Sequence, residues 1–250
     1  MLSSGESENS RLLAALITQA SSTTIDPQAK PWLVDLHCHT AAGSDDSTAR
    51  LDALAAAGAA RLLDAMCVTD HDHFWRPGEL PGSASGLTIF GGSEINTDAG
   101  HVLVFGLDGY EFGYHHPERL ADAVERASGA MIWAHPYRRR LLPGVEPDTR
   151  GWLDAVEAAV EGPLGKLVHA VEASNGRGTA LENLFAEAVA RALGKPQTGA
   201  SDAHAADEAG SCATALVRPV STVHELAGEI RAGRVRPGAG SASARKSRRQ

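Results

Sequence analysis

Five groups of polar residues in this chain are of the types that bind transition metals. Each group follows a run of apolar residues of the kind that forms a buried β-strand. The groups are His37-Cys38-His39, Asp70-His71-Asp72-His73, Glu94, His135 and Asp202-Ala203-His204. Imidazole combined with carboxylate suits Zn, Mn or Fe better than Ca, which prefers all-oxygen ligands. Because ligand-type residues follow several separate apolar runs, we interpret the groups as parts of one metal site.

The spacing inside these groups favours shared coordination. His37 and His39 are two residues apart, and alternate residues of a strand point to the same side. Both imidazoles can therefore reach one ion, whereas Cys38 faces away and is assigned to packing. Asp202 and His204 repeat this spacing. A single His-x-His pair would be weak support, but its repetition beside other ligand-type residues argues against a purely structural role.

Apolar runs alternate with helical patterns along most of the chain. Strands are predicted at 32–36, 65–69, 87–90, 101–107, 130–134, 167–171 and 195–199, and helices at 48–63, 117–128, 152–161, 180–192 and 222–232. This alternation is typical of parallel β/α units. The 101–107 run follows Glu94 so closely that it could form a hairpin instead. Because the strand ends of a β/α barrel meet at one face, the ligand-type residues favour a barrel over a doubly wound sheet.

Length and composition indicate one main domain. We predict a polar extension with a possible short helix at 1–30, a single domain at 31–236 and a flexible basic tail at 237–250. The net charge of −8 argues against a stable complex with long nucleic acid. No apolar run approaches the roughly 18 residues that span a bilayer, and no signal peptide is evident. With three scattered cysteines, a cytoplasmic location is expected.

Taken together, the motifs resemble those of the PHP (polymerase and histidinol phosphatase) superfamily. The matching segments are Asp35-Leu36-His37-Cys38-His39-Thr40 with Ser44-Asp45, Thr69-Asp70-His71-Asp72, Gly92-Ser93-Glu94-Ile95, Ala134-His135-Pro136 and Ser201-Asp202-Ala203-His204. The resemblance covers about residues 32–204. There is one departure: Asp46 follows Asp45, where the family pattern usually has glycine. This substitution affects the turn that carries the predicted ligand Asp45.

The resemblance implies a distorted (β/α)7 TIM-like barrel that holds two or three divalent metal ions, with Mn, Zn or Fe as candidates. One ion would be bound by His37, His39, Glu94 and Asp202. A second would share Glu94 and add His135 and His101. A third would be bound by Asp45, His71 and His204. His101 opens an apolar strand, so a structural role for this residue stays open.

The implied activity is hydrolysis of a phosphate ester by a metal-bound hydroxide. Metal ions can activate water and neutralise phosphoryl charge, so no serine or cysteine nucleophile is needed. We expect Asp202, Glu94, His135 and Arg138 to be the catalytic residues. Arg138 lies in Ala-His-Pro-Tyr-Arg, where a guanidinium could bind phosphate with two hydrogen bonds. The expected substrate is a small phosphomonoester, a nucleotide or a short oligonucleotide.

Two other functions stay open. An amidohydrolase-like enzyme also uses His-x-His on a barrel strand, but it often adds a bridging lysine, and Glu94 takes that place here. The other possibility is a non-catalytic module that binds metal through these ligands but catalyses no reaction. Turnover of a phosphate ester by the metal-loaded protein would distinguish these possibilities.

Overall fold

The computed structural model describes residues 31–141 and 144–238. In chain order the strands are β1 (Trp32–Cys38), β2 (Ala65–Val68), β3 (Ser83–Ala84), β4 (Leu87–Gly91), β5 (Ser93–Thr97), β6 (Gly100–Phe105), β7 (Ala130–Trp133), β8 (Ala170–Asn175), β9 (Gln197–Ala200), β10 (Ala213–Leu216) and β11 (Val235–Gly238). The α-helices are α1 (Leu51–Ala60), α2 (Pro117–Arg126), α3 (Arg150–Glu161), α4 (Pro163–Leu167), α5 (Ala180–Ala192) and α6 (Val223–Arg231).

The strands are divided between two sheets. The first sheet has the order β11-β10-β1-β2-β4-β3, and the second has the order β5-β6-β7-β8-β9. Parallel pairing joins β1 to β2, β2 to β4, β7 to β8 and β8 to β9. The remaining pairs are antiparallel. A mixed α/β fold is therefore confirmed, whereas a single closed (β/α)7 barrel is not.

The chain passes directly from the first sheet to the second at Gly92, without an intervening helix. The Gly92 amide donates to the Val68 carbonyl oxygen at 2.9 Å, which keeps the crossing beside β2. A Cβ at this position would lie 2.8 Å from Phe105 Cε1 and 3.0 Å from the Val104 carbonyl oxygen. Only glycine fits such a close approach. The strand after Gly92 then forms the hairpin β5-β6 that the 101–107 pattern allowed.

One hydrophobic cluster joins the two sheets. It contains Leu36 and Phe90 from the first sheet, Phe105 and Ile132 from the second, and Leu226 from α6. The helices α2 to α5 cover the second sheet, and α1 packs against the first. This arrangement leaves the polar ends of the strands as the place where ligand-type side chains can meet.

Helices were predicted more closely than strands. The predicted helix 180–192 has the observed bounds of α5, because Thr179 and Glu182 form a reciprocal capping box at its start. The strand predicted at 167–171 lies later, at β8, because Pro163 starts the short helix α4 that uses Leu167.

Both predicted terminal segments fall largely outside the described residues. The extension at 1–30 and the tail from 239 onward lie there, whereas residues 237 and 238 form the end of β11. None of the helices in the described part of the chain is long and apolar enough to cross a membrane.

Candidate metal centre

Main-chain contacts bring the ligand-type residues of distant segments together. The His39 amide donates to the Ala203 carbonyl oxygen at 2.8 Å, and the Ala203 amide donates to the His37 carbonyl oxygen at 3.3 Å. The His-x-His end of β1 therefore runs beside the Asp-x-His segment that follows β9. A second bridge pairs His71 with Glu94. These contacts explain why residues more than 160 positions apart share one site.

Four buried atoms converge at the centre of the cluster. Glu94 Oε2 lies 3.0 Å from His37 Nε2 and 3.2 Å from His39 Nε2. Asp202 Oδ1 lies 3.6 Å from His37 Nε2 and 3.5 Å from His39 Nε2. None of these four atoms has a hydrogen-bond partner among the described residues. Burying polar atoms without partners costs stability, so their convergence fits a divalent cation bound by all four.

The tautomers implied by the surrounding contacts agree with this fit. His37 Nδ1 lies 3.0 Å from Glu172 Oε1, and a carboxylate can only accept, so this nitrogen carries the proton. His39 Nδ1 lies 3.2 Å from Ser44 Oγ, whose own hydroxyl donates to Asp70 at 2.9 Å. A cation bound between the two central carboxylates would therefore face Nε2 of each ring. A cation is the group that makes this arrangement favourable.

A second group of atoms surrounds the other oxygen of Glu94. Glu94 Oε1 lies 2.8 Å from His101 Nδ1 and 3.0 Å from His135 Nε2. The two oxygens of one carboxylate thus face different histidines, and His71 Nδ1 also lies 3.2 Å from Oε2. The predicted ligand His101 therefore lies beside Glu94, as does His135.

The histidines of the third predicted ligand group lie together, but Asp46 lies beside them in place of Asp45. His71, His204 and His39 offer nitrogen atoms within 4.8 Å of one another. Asp46 supplies the nearby carboxylate, at 2.9 Å from His204 Nε2 and 3.6 Å from His71 Nε2. Asp45, the predicted ligand, is exposed and makes no hydrogen bond or ion pair to these histidines among the described residues.

The turn that carries Asp45 explains this difference. Ser44 is held inward by its contacts with Asp70 and the His71 amide. Ser47 is held by hydrogen bonds to the carbonyl oxygens of His39 and His204. The tight chain between these two anchors turns the Asp46 side chain toward the site and leaves Asp45 in solvent. The departure from the family pattern at position 46 was the only sequence signal of this arrangement.

Glu172 is a buried residue of the site that was not among the predicted ligands. Its Oε1 accepts from His37, and its Oε2 accepts from the His135 amide at 2.8 Å. The Asn175 side-chain amide donates both to Glu172, at 3.0 Å, and to Asp202, at 3.2 Å. Glu172 therefore contacts residues of both central ligand sets. The available signal was its position directly after the strand predicted at 167–171, in Val-Glu-Ala-Ser-Asn, where other predicted strands carry ligands.

The predicted catalytic residue Arg138 lies at the same end of the strands. Its side chain is 16% exposed and forms an ion pair with the Asp202 carboxylate. Arg138 Nη1 is also 3.5 Å from Asn175 Oδ1. The guanidinium is therefore close to the central cluster and partly open to solvent.

The charges of the cluster are strongly coupled. Burial disfavours a charged His37, but the carboxylates of Glu94 and Glu172 outweigh burial and raise the pKa of His37 to about 10. Burial also works against the charged form of Glu94, yet His37 and hydrogen bonds from His101 and His135 hold its pKa well below the usual range. Burial lowers the pKa of His204 to about 4. Buried carboxylates kept ionised in this way attract cations.

Backbone strain coincides with two of the predicted ligands. His135 has φ 27° and Asp202 has φ 56°, both in the left-handed region that non-glycine residues rarely adopt. Such strain persists only where surrounding contacts impose it, and it concentrates at functional sites. Cys38 lies instead in the hydrophobic core, where burial raises the pKa of its thiol, in agreement with a packing role.

The fold and the cluster together define a class: an α/β protein with a candidate metal centre at the ends of its strands. The family model described as PHP-associated matches residues 180–235. No curated protein matches the sequence significantly. The fold is similar to that of PsfC from Pseudomonas syringae PB-5123, with TM-score 0.60 and 23% identity over 87% of this chain and 95% of that one.

Two further solved structures share the fold. A two-domain protein from Bacteroides vulgatus, containing a predicted PHP-like metal-dependent phosphoesterase, has TM-score 0.53 and 18% identity over 84% of this chain and 65% of that one. The lesion-specific endonuclease PfuEndoQ from Pyrococcus furiosus has TM-score 0.51 and 14% identity over 83% of this chain and 58% of that one. The PHP-associated match over residues 180–235 and the shared fold show a similarity to PHP proteins.

Proposed function

We propose that this protein is a phosphoesterase that hydrolyses a small phosphorylated substrate with two or three divalent metal ions. The observation that carries the proposal is the convergence of unpaired buried atoms from His37, His39, Glu94 and Asp202. The fold neighbour that contains a PHP-like metal-dependent phosphoesterase supports the same reaction class. Mn, Zn and Fe suit the mixed imidazole and carboxylate ligands.

The residues present fit such ions in two adjoining groups. His37, His39, Glu94 and Asp202 would hold one ion, and Glu94, His101 and His135 would hold another. His71, His204 and the Asp46 carboxylate are the candidates for a third. Ions bound there would supply Lewis acidity toward phosphoryl oxygens and acidify bound water near neutral pH.

The chain's own residues then orient the substrate and the ligands. Arg138 lies beside Asp202, where its guanidinium can bind phosphoryl oxygens and share the charge that develops on them. Glu172 and Asn175 fix the positions of His37, His135 and Asp202. The protein contributes positioning and charge, which are the main requirements of phosphoryl transfer.

The substrate is proposed to be a phosphomonoester, a nucleotide or a short oligonucleotide. The endonuclease among the fold neighbours supports a phosphodiester as one possibility, although this chain spans only 58% of that protein. The net charge of −8 is unfavourable for a stable complex with long nucleic acid. An amidohydrolase-like reaction remains the second candidate, and among the described residues no lysine forms an ion pair with Glu94 or Asp202.

Phosphate release from a panel of phosphomonoesters and short oligonucleotides tests the proposal. The Mn- or Zn-loaded wild-type protein should release phosphate or cleave the oligonucleotide, and Asp202→Asn should abolish that activity. His224→Ala is the matched control, because this exposed imidazole lies beside Gly106, at the opposite end of β6 from His101. Turnover of amides but of no phosphate ester would favour the amidohydrolase candidate instead.

A further inference from the structure

A cavity of about 500 Å³ opens directly beside the second group of ligands. His101 and His135 form part of its wall, and both also face Glu94. A substrate whose phosphoryl group lies at these histidines would therefore extend its organic part into the cavity. The volume is within the roughly 300–1,000 Å³ range of small-molecule sites.

Part of the cavity lining is apolar and includes planar aromatic rings. Trp133 and Leu164 are buried residues whose surfaces line it, and Tyr137 adds a second aromatic ring. The Trp133 and Tyr137 ring centroids are 6.4 Å apart. Gly100 has no side chain to fill the adjoining space. Its ideal Cβ position lies 3.6 Å from both Trp133 Nε1 and Leu164 Cδ1. This side suits the face of a planar or apolar group.

Another part of the cavity lining carries an excess of positive charge. Arg138, Arg139 and Arg140 all line the cavity. Arg138 is paired with Asp202, but no carboxylate lies within ion-pair distance of the Arg139 or Arg140 guanidinium among the described residues. Glu182 accepts the backbone amide of Arg139, at 2.6 Å, rather than its side chain.

The acidic residue in the cavity wall does not offset this charge. Asp98 lines the cavity, but its carboxylate is already 2.9 Å from His116 Nδ1. The loop that carries the arginines is also held in an uncommon conformation, with φ 61° at Tyr137 and φ 59° at Arg139. Strain of this kind is retained where a loop is needed in one particular shape.

We propose that this cavity selects phosphate esters whose organic part has a planar or apolar face and carries a second anionic group, bound by Arg139 and Arg140. The proposal rests on the proposed phosphoesterase function, because it assumes that the phosphoryl group occupies the adjacent ligand cluster. Guanidinium groups bind carboxylate and phosphate oxygens with paired hydrogen bonds. Esters with a neutral organic part lose this contact and are poorer substrates.

Two esters of equal shape test the selection. The metal-loaded protein should have a kcat/KM for 4-carboxyphenyl phosphate about 10-fold or more above that for 4-carbamoylphenyl phosphate, as expected for one charged hydrogen-bonding contact. In the double variant Arg139→Ala/Arg140→Ala this ratio should fall to about 1. Arg150→Ala is the control, because its side chain is exposed on α3 and pairs with Asp154. The control should keep the wild-type ratio.

Binding of the matching phosphonates, measured by calorimetry, separates this proposal from the proposed function. A preference for 4-carboxyphenylphosphonate that disappears in the double variant supports the cavity even if no ester is hydrolysed, in which case the phosphoesterase function fails alone. Equal binding and equal turnover of the charged and neutral compounds would overturn the cavity proposal and leave the phosphoesterase function intact. A preference that persists in the double variant would also overturn it.

Discussion

At the scale of single residues, Glu94 is the side chain on which the proposed site depends most. One of its oxygens faces His37, His39 and His71, and the other faces His101 and His135. The side chain is 1% exposed, so water cannot replace these contacts. A carboxylate in this position can neutralise two ions at once. Its charge, rather than its shape alone, should therefore be essential.

The Glu94→Gln variant separates charge from shape. We expect kcat to fall by about 100-fold or more, because lost charge stabilisation in a metal site is worth several kcal/mol. Metal content should fall by at least one ion per chain, while circular dichroism remains that of the wild type. His224→Ala is the control, because it removes an exposed side chain outside the site. Near wild-type turnover with full metal content in Glu94→Gln would remove the bridging role.

Arg138 allows a second prediction about a single residue. If its guanidinium binds the phosphoryl group, Arg138→Ala should lower kcat/KM by about 10-fold or more, which equals about 1.4 kcal/mol. Metal content should not fall, because arginine cannot be a ligand of the ions. The exposed Arg150→Ala serves as the comparison. Small and equal effects in the two variants would mean that Arg138 only balances the charge of Asp202.

At the scale of elements, β8 connects the two central ligand sets through Glu172. Its carboxylate contacts the His37 ring and the His135 backbone, which belong to different predicted ions. Such supporting contacts typically contribute 10–100-fold in metal affinity. We therefore expect Glu172→Gln to weaken both ions together by about that factor, measured by competition with a chelator.

The control for this prediction is Ser44→Ala. Ser44 contacts His39 but neither His37 nor His135, so its loss should leave the ion at His101 and His135 unaffected. Unchanged affinity for both ions in Glu172→Gln would show that β8 does not hold the ligands in place. If Glu172→Gln does not fold, Asn175→Ala provides the same comparison through the contacts of Asn175 with Glu172 and Asp202.

The helices and strands also show how much of the fold could be predicted from the sequence. Long periodic segments such as α5 and the apolar runs of β2 and β7 were predicted near their observed positions, because their patterns are set by local burial. The strands β10 and β11 were missed. Their residues pair antiparallel with β1 and with each other, and their sequences, Ala-Thr-Ala-Leu and Val-Arg-Pro-Gly, lack the apolar runs of β2 and β7.

Some features of the site could not be predicted from the sequence because they depend on three-dimensional contacts. The structure brings the motif histidines and Glu94 together, because strand ends place them at one face in a β/α arrangement. The sequence did not predict that Asp46, rather than Asp45, faces these histidines. That outcome depends on how Ser44 and Ser47 hold one short turn. Glu172 was not assigned either, because its importance arises from contacts with His37 and His135, which are 135 and 37 positions away.

At the scale of the whole molecule, the two sheets meet at the cluster, so metal binding should stabilise the fold. Three fully buried carboxylates, Glu94, Glu172 and Asp202, repel one another, and bound cations relieve this repulsion. An ion at 100 times its Kd contributes about 2.7 kcal/mol. For a chain of this size, that corresponds to a rise in Tm of roughly 5–11 °C.

Calorimetry with and without Mn or Zn measures this shift. Removal of the ions with a chelator should reverse it, and the Glu94→Gln variant should show a clearly smaller rise. His224→Ala should respond as the wild type does. A Tm that is the same in the loaded and stripped wild-type protein would mean that the cluster does not bind the ions in the folded state.

The central claim is that this cluster holds several metal ions, and elemental analysis of the purified wild-type chain tests it most directly. The protein should be prepared without chelator and reconstituted with Mn or Zn. The two ligand groups around Glu94 predict more than one ion per chain, with up to three if His71, His204 and Asp46 bind another. A reproducible value of one ion or fewer after reconstitution would contradict the account.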